Sequence, residues 1–148
     1  MGSVTAFEIS IRPRYGEVDS MGVVYHAHYL AYFDVGRTEY LRALGSNYAE
    51  LERRGFRLAV VDLAVRYLLP ARFDDELRLA VRLTELGRAS VRFEYELRRG
   101  GVTLVTGHTR LGCLDVRNRP TPLPADTLAC LRRAATERAG KPGPLQDV

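Results

Sequence analysis

Followed by its alternation of apolar and polar positions, the chain reads as one long helix set among strands. Phe7, Ile9 and Ile11 alternate with polar neighbours, the period-two pattern of a half-buried strand, and Pro13 closes the run. A loop over residues 14–24 follows, carrying Gly16 and Gly22. The period then changes. Over residues 27–44, Leu30, Phe33, Val35, Tyr40, Leu41 and Leu44 recur at helical spacing, and Gly45 supplies a stop. Beyond it the period returns to two. Residues 57–69 are rich in Val and Leu and end at Pro70, while Leu77, Leu79, Val81 and Leu83 alternate with polar residues. So do Val91, Phe93, Tyr95 and Leu97, with Gly87 before them and Gly100-Gly101 after; residues 102–116 form a last run. Short turns between successive strands favour antiparallel neighbours, because parallel ones need long crossovers. A helix followed by such a sheet predicts an α+β domain. Leu128, Leu131 and Ala135 predict a short C-terminal helix.

Size and composition bound this picture. The chain has 148 residues, 46% hydrophobic and 27% charged, enough to bury a core. One domain is expected over residues 1–139, with 140–148 (a Gly- and Pro-rich stretch) as a flexible tail. No run approaches the ~18 apolar residues that would span a bilayer. The first residues lack the basic and apolar regions of a secretory signal, so a cytoplasmic location without membrane insertion is expected. A twisted sheet with unpaired edges predicts a homo-oligomer.

The formal net charge is +4, and Lys141 is the single lysine among the 22 basic residues. Guanidinium groups suit a phosphorylated ligand. They do not form a block: Arg92 and Arg98 are interleaved with Glu94 and Glu96, which argues against nucleic acid as a partner. Cys113 and Cys130 are too few and too far apart for a disulfide framework or a zinc site, and read as buried thiols.

Chemistry concentrates in one stretch, residues 14–29, which runs from Arg14 through Tyr15, Glu17, Asp19, Gly22 and Tyr25-His26 to His28-Tyr29. A carboxylate on a glycine-containing loop lies seven residues before His26, where the long helix begins. The first turn of a helix offers unpaired N–H groups and the positive end of the macrodipole. Such an end stabilises an anion, including an oxyanion. A carboxylate beside it makes a site for acyl transfer. On spacing alone, capping a turn is the commoner duty of a loop aspartate.

This stretch closely resembles the 4-hydroxybenzoyl-CoA thioesterase group of hotdog proteins, and especially the short-chain acyl-CoA thioesterase branch associated with the Tol-Pal system. The pattern Tyr-x-Glu-x-Asp-x-x-Gly-x-Val-Tyr-His-x-x-Tyr is filled by Tyr15, Glu17, Asp19, Gly22, Val24, Tyr25, His26 and Tyr29. The resemblance continues through residues 37–42, 67–75, 88–90 and 119–122, in the right order, up to about Glu137. It implies a five-stranded antiparallel sheet wrapped around one long helix. It implies a homodimer pairing sheets edge to edge, with the site between protomers; a homotetramer built from such dimers is expected, and dimer versus tetramer stays open. It also implies roles: Asp19 attacks an acyl-CoA thioester or activates water, and the His26 backbone N–H polarises the carbonyl. Gly22, Tyr25, Arg72, Arg88 and Ser90 are the substrate-binding candidates. No cofactor or metal is implied, since CoA is part of the substrate. The competing readings are a non-catalytic acyl-CoA-binding module and a hydratase or dehydratase acting on acyl thioesters.

Other polar residues have plainer readings. His26 and His28, two apart on a helix, face different directions and make a poor metal pair. Glu39, between Arg37 and Arg42, reads as an ion-pairing residue. Asp62 lies inside an apolar strand run, so it is expected to be buried and paired, or to face the pocket as a reserve carboxylate. Tyr25, Tyr29, Tyr32 and Phe33 divide between core and acyl pocket.

Overall fold

The computed structural model describes residues 7–137; the expected tail lies outside them. The strands are β1 (Phe7–Ile11), β2 (Arg57–Tyr67), β3 (Leu77–Leu86), β4 (Ser90–Arg99) and β5 (Val102–Leu114). The helices are α1 (His28–Ala43), α2 (Tyr48–Arg53) and α3 (Ala125–Glu137). The five strands form one antiparallel sheet in the order β1-β3-β4-β5-β2. This is the expected α+β hotdog architecture.

Alternation decides which side chains the sheet turns toward α1. On β4, Val91, Phe93, Tyr95 and Leu97 are buried while the residues between them are half-buried. Phe33 of α1 stacks on Tyr95, ring centroids 4.2 Å apart, and Tyr40 meets Phe93 edge-on. Two glycines permit this closeness. A Cβ on Gly36 of α1 would stand 2.6 Å from Leu79 Cδ2, and one on Gly107 of β5 would stand 2.8 Å from Phe33.

Three expectations need correction. Helix α2 is an addition: Asn47 caps it, its Oδ1 accepting from Ala49 N at 2.8 Å and Glu50 N at 3.3 Å. Strand β2 does not neighbour β3, although it precedes it in sequence; it pairs with β5 and forms an edge. Val35, which fits the helical period, is 50% exposed, because α1 packs on the sheet by one face only. Cys113 is buried as expected, whereas Cys130 is half-buried.

Edge strand β2 carries a bulge between Val60 and Asp62. Its apolar side chains are poorly covered: Val60, Val61, Leu63 and Tyr67 are 41–58% exposed.

Candidate active site

Between β1 and α1 the chain turns through a single 3-10 turn at Tyr15–Glu17 and folds back as a small hairpin. Val18 bridges Val24, the Asp19 amide donates to Val23 O at 2.8 Å, and the Tyr25 amide donates to Glu17 O at 2.9 Å. The Gly22 amide donates to Asp19 O at 2.9 Å and closes the tip. Gly22 has φ +80°, a left-handed conformation that disfavours any side chain, so its duty is the turn itself. Asp19 stands on one arm, and the other arm runs through Tyr25 into His26.

Asp19 is half-buried. Its Oδ1 accepts from Met21 N at 2.8 Å, the turn-capping bond ordinary for a loop aspartate. Its Oδ2 accepts no hydrogen bond among the described residues. One oxygen fixes the side chain and the other is unbonded.

The helix end is equally incomplete. Ala27 is the N-cap residue of α1, and no side chain caps it. The His28 amide donates to Tyr25 O at 2.9 Å, but the His26 amide finds no acceptor among the described residues. The His26 amide, one residue ahead of the cap, therefore stands as an unused donor beside the positive end of α1. The His26 carbonyl is held by the Tyr67 hydroxyl at 2.9 Å, and its imidazole packs on the exposed Tyr25 ring at 4.3 Å rather than bonding Asp19. His28 is half-buried with its ring 6.1 Å from Tyr25.

The connection between β2 and β3 anchors this hairpin. The Val24 amide donates to Ala71 O at 2.8 Å, and Val23 bridges Arg72. Ala71 N donates to the buried Tyr29 hydroxyl at 3.1 Å. Asp75 Oδ2 accepts from both Arg72 N and the Arg99 guanidinium, each at 2.8 Å. On the other side, Glu17 accepts from the Tyr32 hydroxyl at 2.8 Å and from Arg14 N at 2.9 Å. Burial works to raise the Glu17 carboxyl, yet the hydrogen bonds from Arg14 and Tyr32 outweigh it and hold it below its ordinary value. Burial, and then the bond to Glu17, push the Tyr32 phenol well above its ordinary value.

Gly22, Tyr25 and Arg72 thus gather around Asp19 and His26. Arg88 and Ser90 do not. They sit at the turn between β3 and β4, where Gly87 N bonds Ser90 O and Leu123 N bonds Arg88 O. The hairpin lies near the opposite end of β3, whose ten residues span about 30 Å at ~3.3 Å per residue. Asp62 is a further correction. It is exposed rather than buried, taking His108 Nε2 at 3.1 Å and Arg110 at 3.0 Å. Those hydrogen bonds, Arg110's first, hold its carboxyl below the usual range. It shares its sheet face with its cross-strand neighbour Arg110 of β5. Glu39 pairs with Arg42. Among the described residues no three His, Cys, Asp or Glu side chains are arranged to hold a metal ion. Among them, too, no helix is long and apolar enough to cross a membrane. Sequence reasoning missed Tyr32, Tyr67, Asp75 and Arg99 as supports of the site.

A five-stranded antiparallel sheet around one long helix defines the hotdog class of folds. Comparison with known proteins narrows it. The model of the thioesterase-like superfamily matches residues 13–131. Acyl-CoA thioesterase YbgC of Haemophilus influenzae is 34% identical over 125 residues, covering 83% of this chain and 92% of that protein. A solved DHNA-CoA thioesterase from Staphylococcus aureus superposes with a TM-score of 0.86 at 29% identity, covering 92% and 95% of the two chains. A Thermus thermophilus thioesterase solved with coenzyme A and zinc gives 0.76 at 28% identity, covering 95% and 99%. The chain belongs to the thioesterase-like superfamily, and it is an enzyme that hydrolyses thioesters.

Proposed function

We propose that this enzyme is a cytoplasmic acyl-CoA thioesterase, converting R–CO–S–CoA and water into a carboxylic acid and free CoA. On the order of its motifs we group it with the short-chain branch associated with the Tol-Pal system. One observation carries the reading: Asp19, with one oxygen fixed and one unbonded, shares a hairpin with the undonated amide of His26 at an uncapped helix end. In the proposed reaction the His26 N–H polarises the thioester carbonyl. Asp19 either adds to the carbonyl carbon, giving a mixed anhydride that water then hydrolyses to the free acid and the Asp19 carboxylate, or takes a proton from the attacking water. The tetrahedral oxyanion collapses with expulsion of the CoA thiolate. A preorganised N–H donor of this kind is worth about 10²–10³ in rate. The thiolate leaves readily, so the chemistry calls on no metal and no cofactor, CoA being part of the substrate.

The same reading makes the working unit at least a dimer. Strand β2 is an edge whose Val60, Val61, Leu63 and Tyr67 need cover. Antiparallel pairing of β2 with a second copy of itself supplies it. That operation sets the Arg57 end of one β2 against the Tyr67 end of the other. The Tyr67 end bonds His26; the Arg57 end adjoins the end of β5 where Gly112 pairs with Ser90. Each hairpin then faces the other copy's Arg88 and Ser90, two strand spacings (about 10 Å) in from the new seam. Arg88 and Ser90 are donors for the phosphates of CoA, completing in the dimer a site that one chain leaves divided.

Asp19→Asn tests the chemistry. Asparagine retains an oxygen for Met21 N, so the hairpin keeps its turn while the charge is lost. Release of CoA thiol from a panel of acyl-CoAs should fall by about 10²–10⁴. Turnover within a few-fold of wild type would remove Asp19 from the reaction.

A further inference from the structure

We infer that Glu17 is a positioning residue, whose carboxylate ties the first arm of the hairpin to the body of α1 and so holds the site in the geometry that catalysis requires. The inference rests on the proposed roles of Asp19 and His26 and deepens them.

Glu17 touches each part of the site without belonging to the chemistry. Its side chain is only 16% exposed, so the carboxylate has given up most of its water and requires donors. Three reach it. Arg14 N at 2.9 Å and the Tyr32 hydroxyl at 2.8 Å converge on Oε1, and Arg14 Nε approaches Oε2 at 3.4 Å. Its backbone carbonyl takes the amide of Tyr25, the residue directly before His26. Through the side chain, then, Glu17 is tied to α1; through the main chain, to the arm that carries His26; and along the chain it stands two residues before Asp19. Tyr32 is the anchor. It is 6% exposed, edge-on to Tyr29, and Tyr29 in turn holds Ala71 of the connection beneath the hairpin. Rigid packing of α1 is thereby transmitted to the loop through a partly buried polar contact, beside the apolar anchor that Val24 supplies. Misplacement of reacting groups by about 1 Å costs on the order of 10²-fold in rate. A clamp at this point therefore has a kinetic consequence out of proportion to its share of stability.

The geometry separates positioning from acid–base duty. Glutamine at position 17 offers the same amide oxygen to Arg14 N and Tyr32 Oη but cannot carry a proton to or from substrate. Alanine removes the clamp. Phenylalanine at position 32 removes one hydroxyl and no bulk. Glu17→Ala, Glu17→Gln, Tyr32→Phe and, as reference, Asp19→Asn would be compared for kcat and KM on one short-chain acyl-CoA, with thermal midpoints measured alongside. Glu17→Ala and Tyr32→Phe should lower kcat by about 10-fold or more while KM stays within about threefold. Glu17→Gln should recover kcat to within about threefold of wild type. A Glu17→Gln enzyme as slow as Glu17→Ala would make Glu17 an acid or base and overturn the positioning role. Unchanged kcat in Tyr32→Phe would also overturn it, and that variant carries the test if Glu17→Ala does not fold. The reference keeps the two readings apart. An active Asp19→Asn enzyme sinks the proposed reaction, whereas an inactive one beside unaffected clamp variants sinks only the clamp.

Discussion

Gly107→Ala should destabilise the fold sharply although it adds a single methyl group. Gly107 lies on β5, between Val65 of β2 and Tyr95 of β4. A Cβ there would stand 2.6 Å from Ala64 O and 2.8 Å from Phe33 Cε2. Ordinary C···O contacts begin near 3.3 Å and carbon–carbon contacts near 3.5 Å. Both neighbours would have to retreat by about 0.7 Å. Neither is loose. Ala64 O is main chain of the β2–β5 ladder, and Phe33 is fully buried and stacked almost flat on Tyr95, at 4°. Overpacking of this kind costs about 1–3 kcal/mol, and for a chain of this size each kcal/mol lowers Tm by roughly 2–4 °C. The drop should be about 2–12 °C. Gly101→Ala is the control, since nothing lies within 4 Å of its Cβ and its φ is not left-handed; its change should stay within about 0.5 kcal/mol of zero, or be mildly stabilising. Urea unfolding at one fixed protein concentration removes any contribution from association. If Gly107→Ala loses less than about 0.5 kcal/mol, or matches Gly101→Ala, the account of close packing between α1 and β5 is wrong.

Two further outcomes follow from the proposed dimer and from Glu17. Mixed dimers of an Asp19→Asn chain and an Arg88→Ala chain should regain one fully competent site, because Asp19 of the second chain then faces Arg88 of the first; co-expressed, differently tagged chains that never exceed the Arg88→Ala homodimer would refute the cross-subunit site. The Glu17 carboxyl is held below its ordinary value of 4.5, so its ionised form contributes stability that is present above that value and fades as pH falls through the lowered one. The Tm advantage of wild type over Glu17→Gln should accordingly be largest near neutrality and close on acidification from about pH 4.5 downward; an advantage that stays constant from pH 7 to 3 would contradict the assignment.

Some of this was open to sequence reasoning because burial writes itself into periodicity. Alternation along Val91, Phe93, Tyr95 and Leu97 marks a strand with one dry face, and the dry face is there. Helix α2 was hidden because six residues are too few to show a period; its signal was the cap, Asn47 with Glu50 three residues on. The place of β2 in the sheet was hidden for another reason. Sequence order brings β2 beside β3, but the chain crosses over and returns β2 to β5, a choice made by long-range packing. Asp19 and His26 stand out through the resemblance of residues 14–29 to a known family, since spacing alone favours a turn cap for Asp19. The clamps do not. Tyr32–Glu17, Tyr67–His26 and Arg99–Asp75 join residues 15, 41 and 24 positions apart. Nothing local to a tyrosine or arginine says which distant carbonyl or carboxylate it will meet.

One pattern was read correctly as composition and wrongly as burial. The run Val60-Val61-Asp62-Leu63 is apolar enough to belong inside a protein, yet in a single chain it lies exposed on an edge. Arg88 and Ser90 present the matching puzzle, since these proposed phosphate donors stand at the far end of β3 from the hairpin that carries Asp19. Either anomaly alone admits several answers. The proposed dimer answers both, since the antiparallel pairing that would cover the β2 edge would also carry one copy's Arg88 toward the other's Asp19. A separate solution for each would require two accidents. A single two-fold axis requires none, and in the proposed dimer the apolar edge becomes part of the active site.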